Sequence, residues 1–172
     1  AVIIAVSMGG LLGSILAAYH PERVRAAVLM DGSFPVQPDY GFITPENFNT
    51  KFEQPEGWQK FNQYYWQTDY RDFVEFFVGN MFSEPHSSKP FEDAVAWGME
   101  THGAILAKTI AARLEPSETY DIGPDMFRRI SCPLLLIHGE DDQIQPVEKS
   151  KVVAEMTGAE LILLPGAGHI PP

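Results

Sequence analysis

Short apolar runs alternate with helix-compatible stretches at both ends of the 172-residue chain, and no other pattern in the sequence restricts the fold as strongly. The apolar runs are Val2–Val6, Ala26–Met30, residues 133–138 and Glu160–Leu164, and the helical stretches are Met8–Tyr19 and Val147–Thr157. Runs without polar alternation are typical of strands buried on both faces. Gly158 is expected to end the last helix. Strand, helix and strand in succession predict an α/β fold on a parallel sheet with right-handed crossovers.

The middle of the chain differs, because strand patterns disappear and aromatic-rich helical patterns replace them. We predict helices over residues 58–67, 70–82 and 91–114, with loops at residues 34–41 and 83–90, where Pro, Gly or Ser is frequent. The sequence therefore predicts two parts. Residues 1–33 and 124–172 form the sheet core, and residues 34–123 form an inserted helical lid.

Composition argues against several functions. Twelve Lys and Arg against 23 Asp and Glu give a net charge of −11, which disfavours a nucleic-acid partner. No apolar run reaches the ~20 residues of a membrane span. The single Cys132 provides neither an intrachain disulfide nor a metal cluster and fits a reducing compartment, so we expect a cytoplasmic protein without metal or organic cofactor. Because Ala1 opens directly on an apolar run, we expect an N-terminally truncated fragment.

Ser7 lies between the first predicted strand and the first predicted helix, where we expect a tight turn. The flanking Ala5 and Gly9 are small, as such a turn requires, since bulky groups would collide with neighbouring backbone. The turn would lift the Ser7 hydroxyl clear of the sheet and direct the amide of Met8 at an oxygen that becomes negative during attack. A hydroxyl nucleophile needs a base, and the base needs an orienting carboxylate. Ser7 is therefore a candidate nucleophile and Met8 a candidate oxyanion-hole donor.

Two loops near the C-terminus contain candidate partners for Ser7. Residues 139–146 have the form Gly-x-x-Asp-x-x-x-Pro after the third strand, and residues 166–169 read Gly-Ala-Gly-His after the fourth. Together with Ala-Val-Ser-Met-Gly-Gly, these motifs resemble the α/β-hydrolase family, particularly its lidded serine esterases and carbon–carbon bond hydrolases, although Ala5 stands where the family usually has Gly. The resemblance implies that Ser7 is the nucleophile, His169 the general base and Asp142 the orienting acid, in the chain order expected for this fold.

Other interpretations of these residues remain open. Some members of the family place the acid after the second of these strands, which makes Asp31 an alternative acid. Asp142 could instead be a helix N-terminal or turn residue, and Asp141 is a weaker rival because a shift by one residue loses the Gly and Pro spacing. The remaining histidines are expected to be structural or surface residues; they are His20, His86, His102 and His138.

The resemblance implies a serine hydrolase of the carboxylesterase type that cleaves an ester or similar carbonyl compound through an acyl-enzyme. The expected substrate is a small apolar or amphipathic acyl compound. Alternatives are a carbon–carbon bond hydrolase, a thioesterase, a cofactor-free haloperoxidase or a non-catalytic ligand-binding module. The family places the second oxyanion donor on an earlier loop, which would precede Ala1, so we expect these 172 residues alone to aggregate or be inactive. The oligomeric state stays open.

Overall fold

The computed structural model describes residues 1–84 and 88–170, so His86 lies outside the described residues. The chain divides into two compact units. The first, called the sheet unit here, comprises residues 1–39, 81–84 and the described residues from 117 onward. The second, called the helical unit, comprises residues 40–80 and the described residues between 85 and 116. The use of residues 34–123 as a lid stays a prediction.

The sheet unit contains four strands in the order β1-β2-β3-β4, and every neighbouring pair is parallel. The strands are β1 (Val2–Val6), β2 (Ala26–Met30), β3 (Leu134–Gly139) and β4 (Glu160–Leu164). The predicted parallel sheet is confirmed, with β3 one residue later than expected. Because Val6 pairs with Met30 and Met30 pairs with Ile137, the carboxyl ends of the first three strands lie side by side. Side chains that follow these strands are thereby brought to one edge of the sheet.

Seven α-helices are found among the described residues, two of them in the sheet unit. They are α1 (Met8–Tyr19), α2 (Pro45–Asn49), α3 (Tyr65–Thr68), α4 (Tyr70–Gly79), α5 (Ser88–Gly98), α6 (Gly103–Leu114) and α7 (Val147–Thr157). Helices α1 and α7 have the predicted bounds, and Gly158 ends α7 in the left-handed conformation with φ 71°. None of the helices in the described part of the chain combines the length and apolarity that crossing a membrane requires.

The core of the sheet unit lies between the sheet and its helices. Leu29 of β2, Leu136 of β3 and Val153 of α7 are fully buried in it. The expectation that the first three strands are buried on both faces is wrong for β1, where Val2 and Ile4 are 60% and 71% exposed. Strand β1 is also an edge strand of this sheet as described, so it has one neighbouring strand, β2.

The helical unit is more broken than the sequence predicts. In place of one helix over residues 58–67 there is a short 3₁₀ turn, Gly57–Lys60, followed by α3. The buried Asn62 explains the break, because its side chain donates to the carbonyls of Asn47 and Thr50 and accepts from the amides of two following residues. A side chain that binds the backbone in this way competes with a continuous helix.

The third helix predicted in this region, over residues 91–114, is divided into α5 and α6. Helix α6 begins at Gly103, where a Cβ atom would lie 2.0 Å from the carbonyl oxygen of Trp66. Trp66 packs at ring-centroid distances of 5.5, 5.1 and 4.5 Å against Phe48, Phe61 and Phe73. The aromatic residues of this unit therefore form its own core.

Candidate active site

Ser7 occupies a tight turn between β1 and α1, as the sequence predicts. Its backbone has φ 53° and ψ −122°, its amide donates to the carbonyl of Met30 at 2.9 Å, and its carbonyl accepts from the amide of Ser33 at 3.0 Å. The turn approaches the end of β2 closely, because a Cβ on Gly10 would lie 3.0 Å from the Cα of Gly32. Only small residues fit this approach, and the backbone conformation of Ser7 is held by bonds from both sides.

Met8 is the first residue of α1, directly after Ser7. Amides in the first turn of a helix have no partner within the helix and carry a partial positive charge. The Met8 amide therefore has the properties required of an oxyanion donor. This role for Met8 stays a prediction.

His169 lies within hydrogen-bonding distance of both other predicted residues. Its Nε2 is 2.8 Å from the Ser7 Oγ, and its Nδ1 is 2.7 Å from the Oδ2 of Asp142. The carboxylate accepts a hydrogen from Nδ1, which leaves Nε2 of the neutral ring to accept the hydroxyl proton of Ser7. The structure thus brings together three residues that are far apart in the chain.

Asp142 is almost completely buried, and both of its carboxylate oxygens have hydrogen-bond partners. Its Oδ1 accepts from the amides of Ile144 at 2.7 Å and Gln145 at 2.9 Å, while its Oδ2 faces His169. Burial by itself would raise the pKa of Asp142, but the bonds from His138, His169 and the Gln145 amide lower this pKa to about 2. Asp142 is therefore a carboxylate at neutral pH.

Asp31, the alternative acid, is fully buried at the end of β2 with φ 47°. Its Oδ1 accepts from the Gly139 amide at 2.9 Å, and its Oδ2 has no hydrogen-bond partner among the described residues. Burial raises the pKa of Asp31 from 3.8 to about 6, even though the Gly139 amide and His138 lower it. The Nδ1 atom of His169 is bonded to Asp142 instead. Asp141, the weaker rival, is exposed.

His138 belongs to the same cluster, and sequence reasoning assigned it only a structural place. It is fully buried, its Nδ1 lies 2.7 Å from the Ser150 Oγ, and its Nε2 lies 3.1 Å from the Gln145 carbonyl and 3.3 Å from the Oδ2 of Asp142. The signal available in the sequence was its place at a strand end, just before the loop that carries Asp142. Of the other histidines, His20 binds the hydroxyl of Tyr120 at 2.8 Å and His102 is exposed.

The loop that carries His169 is held by residues 81–84, a contact the sequence did not predict. The His169 amide donates to the Met81 carbonyl at 2.8 Å, the Ser83 hydroxyl donates to the Gly166 carbonyl at 3.0 Å, and the Gly168 amide donates to Glu84 Oε1 at 3.2 Å. A Cβ on Gly168 would lie 2.5 Å from the Met81 carbonyl oxygen. Gly168 is therefore required for the close packing of this loop.

Asp31, His138 and Asp142 are the group in the described chain with the geometry to hold a metal ion, since one ligand atom from each lies within 4.8 Å of the others. The Asp142 and His138 atoms in this group already hydrogen-bond to protein partners. Binding of an ion here would break those bonds. The arrangement therefore fits a hydrogen-bonded cluster better than a metal centre.

Comparison with solved structures gives similar folds at low sequence identity. The esterase EaEST from Exiguobacterium antarcticum has a TM-score of 0.71 at 19% identity over 96% of this chain and 58% of its own. A thermophilic esterase from Thermogutta terrifontis has a TM-score of 0.72 at 19% identity over 99% of this chain and 58% of its own. The 2-hydroxy-6-oxo-6-phenylhexa-2,4-dienoate hydrolase from Rhodococcus sp. strain RHA1 has a TM-score of 0.67 at 18% identity over 96% of this chain and 56% of its own.

This chain thus spans slightly more than half the length of these solved structures. No curated protein matches it. The same fold accounts for the parallel sheet, for the tight turn at Ser7 and for the similarity to esterase and hydrolase structures. A family model described as "alpha/beta hydrolase fold" matches residues 1–172, and the chain therefore belongs to the α/β-hydrolase family.

Proposed function

We propose that the protein is a serine hydrolase that cleaves an ester or a similar carbonyl compound through an acyl-enzyme. The observation that supports this most strongly is the continuous set of hydrogen bonds from Ser7 through His169 to Asp142. The reaction requires a carboxylate that orients the imidazole and an imidazole nitrogen that accepts the serine proton, and this order of contacts supports the proposal.

In the proposed reaction, the Ser7 Oγ attacks the substrate carbonyl carbon while Nε2 of His169 takes the hydroxyl proton. The carbonyl oxygen becomes an oxyanion, to which the Met8 amide donates one hydrogen bond. Collapse of the tetrahedral intermediate breaks the bond to the leaving group, which receives the proton from His169. A water molecule then repeats the sequence on the acyl-enzyme, releases the acid and restores the Ser7 hydroxyl.

The role of Asp142 is to hold the His169 ring and to stabilise the imidazolium that forms in each step. Its own two amide bonds and its low pKa support this role, because a carboxylate so held stays ionised and fixed in place. Asp31 would be a weaker choice of acid, since burial raises its pKa toward neutrality.

We further propose that the substrate is a small apolar or amphipathic acyl compound and that residues 34–123 act as the lid that selects it. The aromatic content of this region, with partly exposed rings such as Tyr40 and Tyr64, supports an apolar substrate. We also propose that the protein is of the carboxylesterase type and is located in the cytoplasm.

The test is labelling of the intact protein with a fluorophosphonate, which reacts with activated serines. We expect one label at Ser7 and loss of labelling in Ser7→Ala, whereas Ser117→Ala, which removes an exposed serine, keeps it. Labelling that survives Ser7→Ala, or no labelling of correctly folded wild-type protein, contradicts the proposal.

A carbon–carbon bond hydrolase is the second candidate, favoured by the similarity to the Rhodococcus hydrolase. Both candidates predict labelling at Ser7, so substrates must separate them. An esterase should turn over p-nitrophenyl esters with a preference for one acyl length. A carbon–carbon bond hydrolase should show its higher kcat/KM on a vinylogous diketone acid instead.

A further inference from the structure

Three titratable side chains from three segments lie close together on the side of His169 that binds Asp142. Asp31 follows β2, His138 lies in β3, and Asp142 lies in the loop after β3. All three are at most 2% exposed. Nε2 of His138 is 3.3 Å from Asp142 Oδ2 and 3.8 Å from Asp31 Oδ1, so one imidazole faces two carboxyl groups.

The partners of His138 fix one of its protons. Nε2 faces acceptors, namely the Gln145 carbonyl and the Asp142 carboxylate, so Nε2 must carry a hydrogen. Nδ1 faces the hydroxyl of Ser150, a group that both donates and accepts. The His138 ring therefore can take a second proton at Nδ1 and keep that hydrogen bond.

Burial disfavours the carboxylate of Asp31, but the hydrogen-bond partners of Asp31 do not favour its neutral form. One oxygen already accepts from the Gly139 amide, and the other has no hydrogen-bond partner in the described part of the chain, so a proton placed there would lack an acceptor. An isolated buried carboxylate is costly, but a neighbouring cation reduces the cost. A proton shared between Asp31 and His138 is therefore held better by Nδ1 of His138 than by the carboxyl group of Asp31.

We infer that Asp31 and His138 form a buried ion pair next to Asp142, and that the two charges of this pair act in opposite directions on the protonation of His169. The inference rests on the proposed function for its effect on catalysis. Asp31 and His138 are then positioning residues with opposite effects. The anion of Asp31 favours the imidazolium of His169, whereas the cation of His138 opposes it and draws on the same Asp142 oxygen.

The direction of the pKa shifts agrees with this geometry. Burial lowers the pKa of His138, but the bond to Asp142 and the charges of Asp31 and Asp142 outweigh it and raise this pKa above its ordinary value. Other charged groups nearby act from α7: the exposed Glu148 interacts with His138, and Lys149 is bound to Asp39 and Gln145. His169 is another titratable group near the cluster, and its positive charge lowers the pKa of Asp31.

The activity test compares pH profiles of kcat/KM for variants of the intact protein. Asp31→Asn should move the acid limb to lower pH by about 0.5, His138→Gln should move it to higher pH by a similar amount, and the double variant should lie near wild type. Asp141→Asn and His102→Gln make the same changes at exposed positions and should leave the limb in place. The inference is overturned if both single variants shift the limb in the same direction, or if one or both of them leave it in place.

A second measurement needs no activity. In ¹⁵N-histidine-labelled Ser7→Ala protein, both ring nitrogens of His138 should be protonated at pH 7, and Asp31→Asn should make His138 lose its second proton at a lower pH. A neutral His138 at pH 6 to 7, with hydrogen on Nε2 alone, overturns the ion pair even if the proposed function holds. A cationic His138 in a protein that no fluorophosphonate labels leaves the ion pair intact and removes the proposed function.

Discussion

At the scale of single residues, the two buried carboxyl groups near His169 have opposite environments. Among the described residues, donors to Asp142 are the amides of Ile144 and Gln145 and the rings of His169 and His138, whereas Asp31 accepts from the Gly139 amide and faces His138 at 3.8 Å. Burial acts on both, yet the pKa of Asp142 is lowered and that of Asp31 is raised. The number of donors, not the degree of burial, decides the direction in which the pKa of each carboxyl group moves.

This difference predicts which acid supports catalysis. Asp142→Asn should lower kcat/KM by about 10³ to 10⁴-fold, because the charge that stabilises the His169 imidazolium is lost. Asp31→Asn leaves the bond between His169 and Asp142 intact, so its kcat/KM at pH 8 should stay within about tenfold of wild type. The measurement is ester hydrolysis by the intact protein. A larger loss in Asp31→Asn than in Asp142→Asn would make Asp31 the orienting acid.

Asp31 should also make stability depend on pH. Its folded-state pKa of about 6 lies above its ordinary 3.8, so the folded protein holds this proton more tightly and loses stability as pH rises between those values. From pH 4 to pH 7.5, the free energy of unfolding of Asp31→Asn should gain about 2 kcal/mol relative to wild type. Urea unfolding of both proteins at pH 4 and pH 7.5 measures this difference in the free energy of unfolding. The exposed control Asp141→Asn should show no such change, and an unchanged difference for Asp31→Asn contradicts the assigned pKa.

At the scale of elements, the His169 loop depends on the absence of one side chain. Gly168→Ala would place a methyl group 2.5 Å from the Met81 carbonyl oxygen and 2.9 Å from the Ser83 amide nitrogen. The loop must move to relieve this contact, and a displacement of about 1 Å at a reacting group costs about 10²-fold in rate. We therefore expect kcat/KM to fall by about that factor.

Gly158→Ala is the matched control, because Gly158 ends α7 with φ 71° and open space around it. Its cost should be about 1 kcal/mol of stability from the left-handed backbone, with kcat/KM unchanged. Equal activities of the two variants would show that the packing against Met81 does not position His169.

The elements that the sequence predicted well are those whose pattern is local. Strands β1, β2 and β4 and helices α1 and α7 have the predicted bounds, because apolar runs and a terminal glycine determine them within a few residues. The helical unit was predicted poorly, since Asn62 and Gly103 interrupt the predicted helices through contacts with other segments of the chain. Periodicity along the chain contains no information about such contacts.

The same distinction applies to the candidate site. Ser7, Asp142 and His169 were identified because each stands in a motif directly after a strand. The contact of His138 with Asp31 arises from the pairing of β2 with β3, and the bond between Gly139 and Asp31 joins residues 108 positions apart. The support of His169 by Met81 also comes from a segment distant in the chain. Neither follows from spacing in the sequence.

At the scale of the whole molecule, β1 is an edge strand with an apolar face open to water. Val2 and Ile4 are largely exposed, and unpaired edge strands of this kind promote association between chains. We expect the 172 residues expressed alone to self-associate in size-exclusion chromatography with light scattering. Ile4→Lys should reduce the association, whereas Thr119→Lys adds the same charge at an exposed polar site and should not. A monomeric and active 172-residue chain would contradict this expectation.

Residues 81–84 restrict how the protein can be engineered. They interrupt the helical unit in the chain, yet they belong to the sheet unit and bind the loop of His169. Exchange of residues 40–116 as a single cassette with that of a relative would therefore replace the support of the histidine together with the aromatic helices. A graft intended to change substrate preference must keep Met81–Glu84 and join the donor sequence on either side of it.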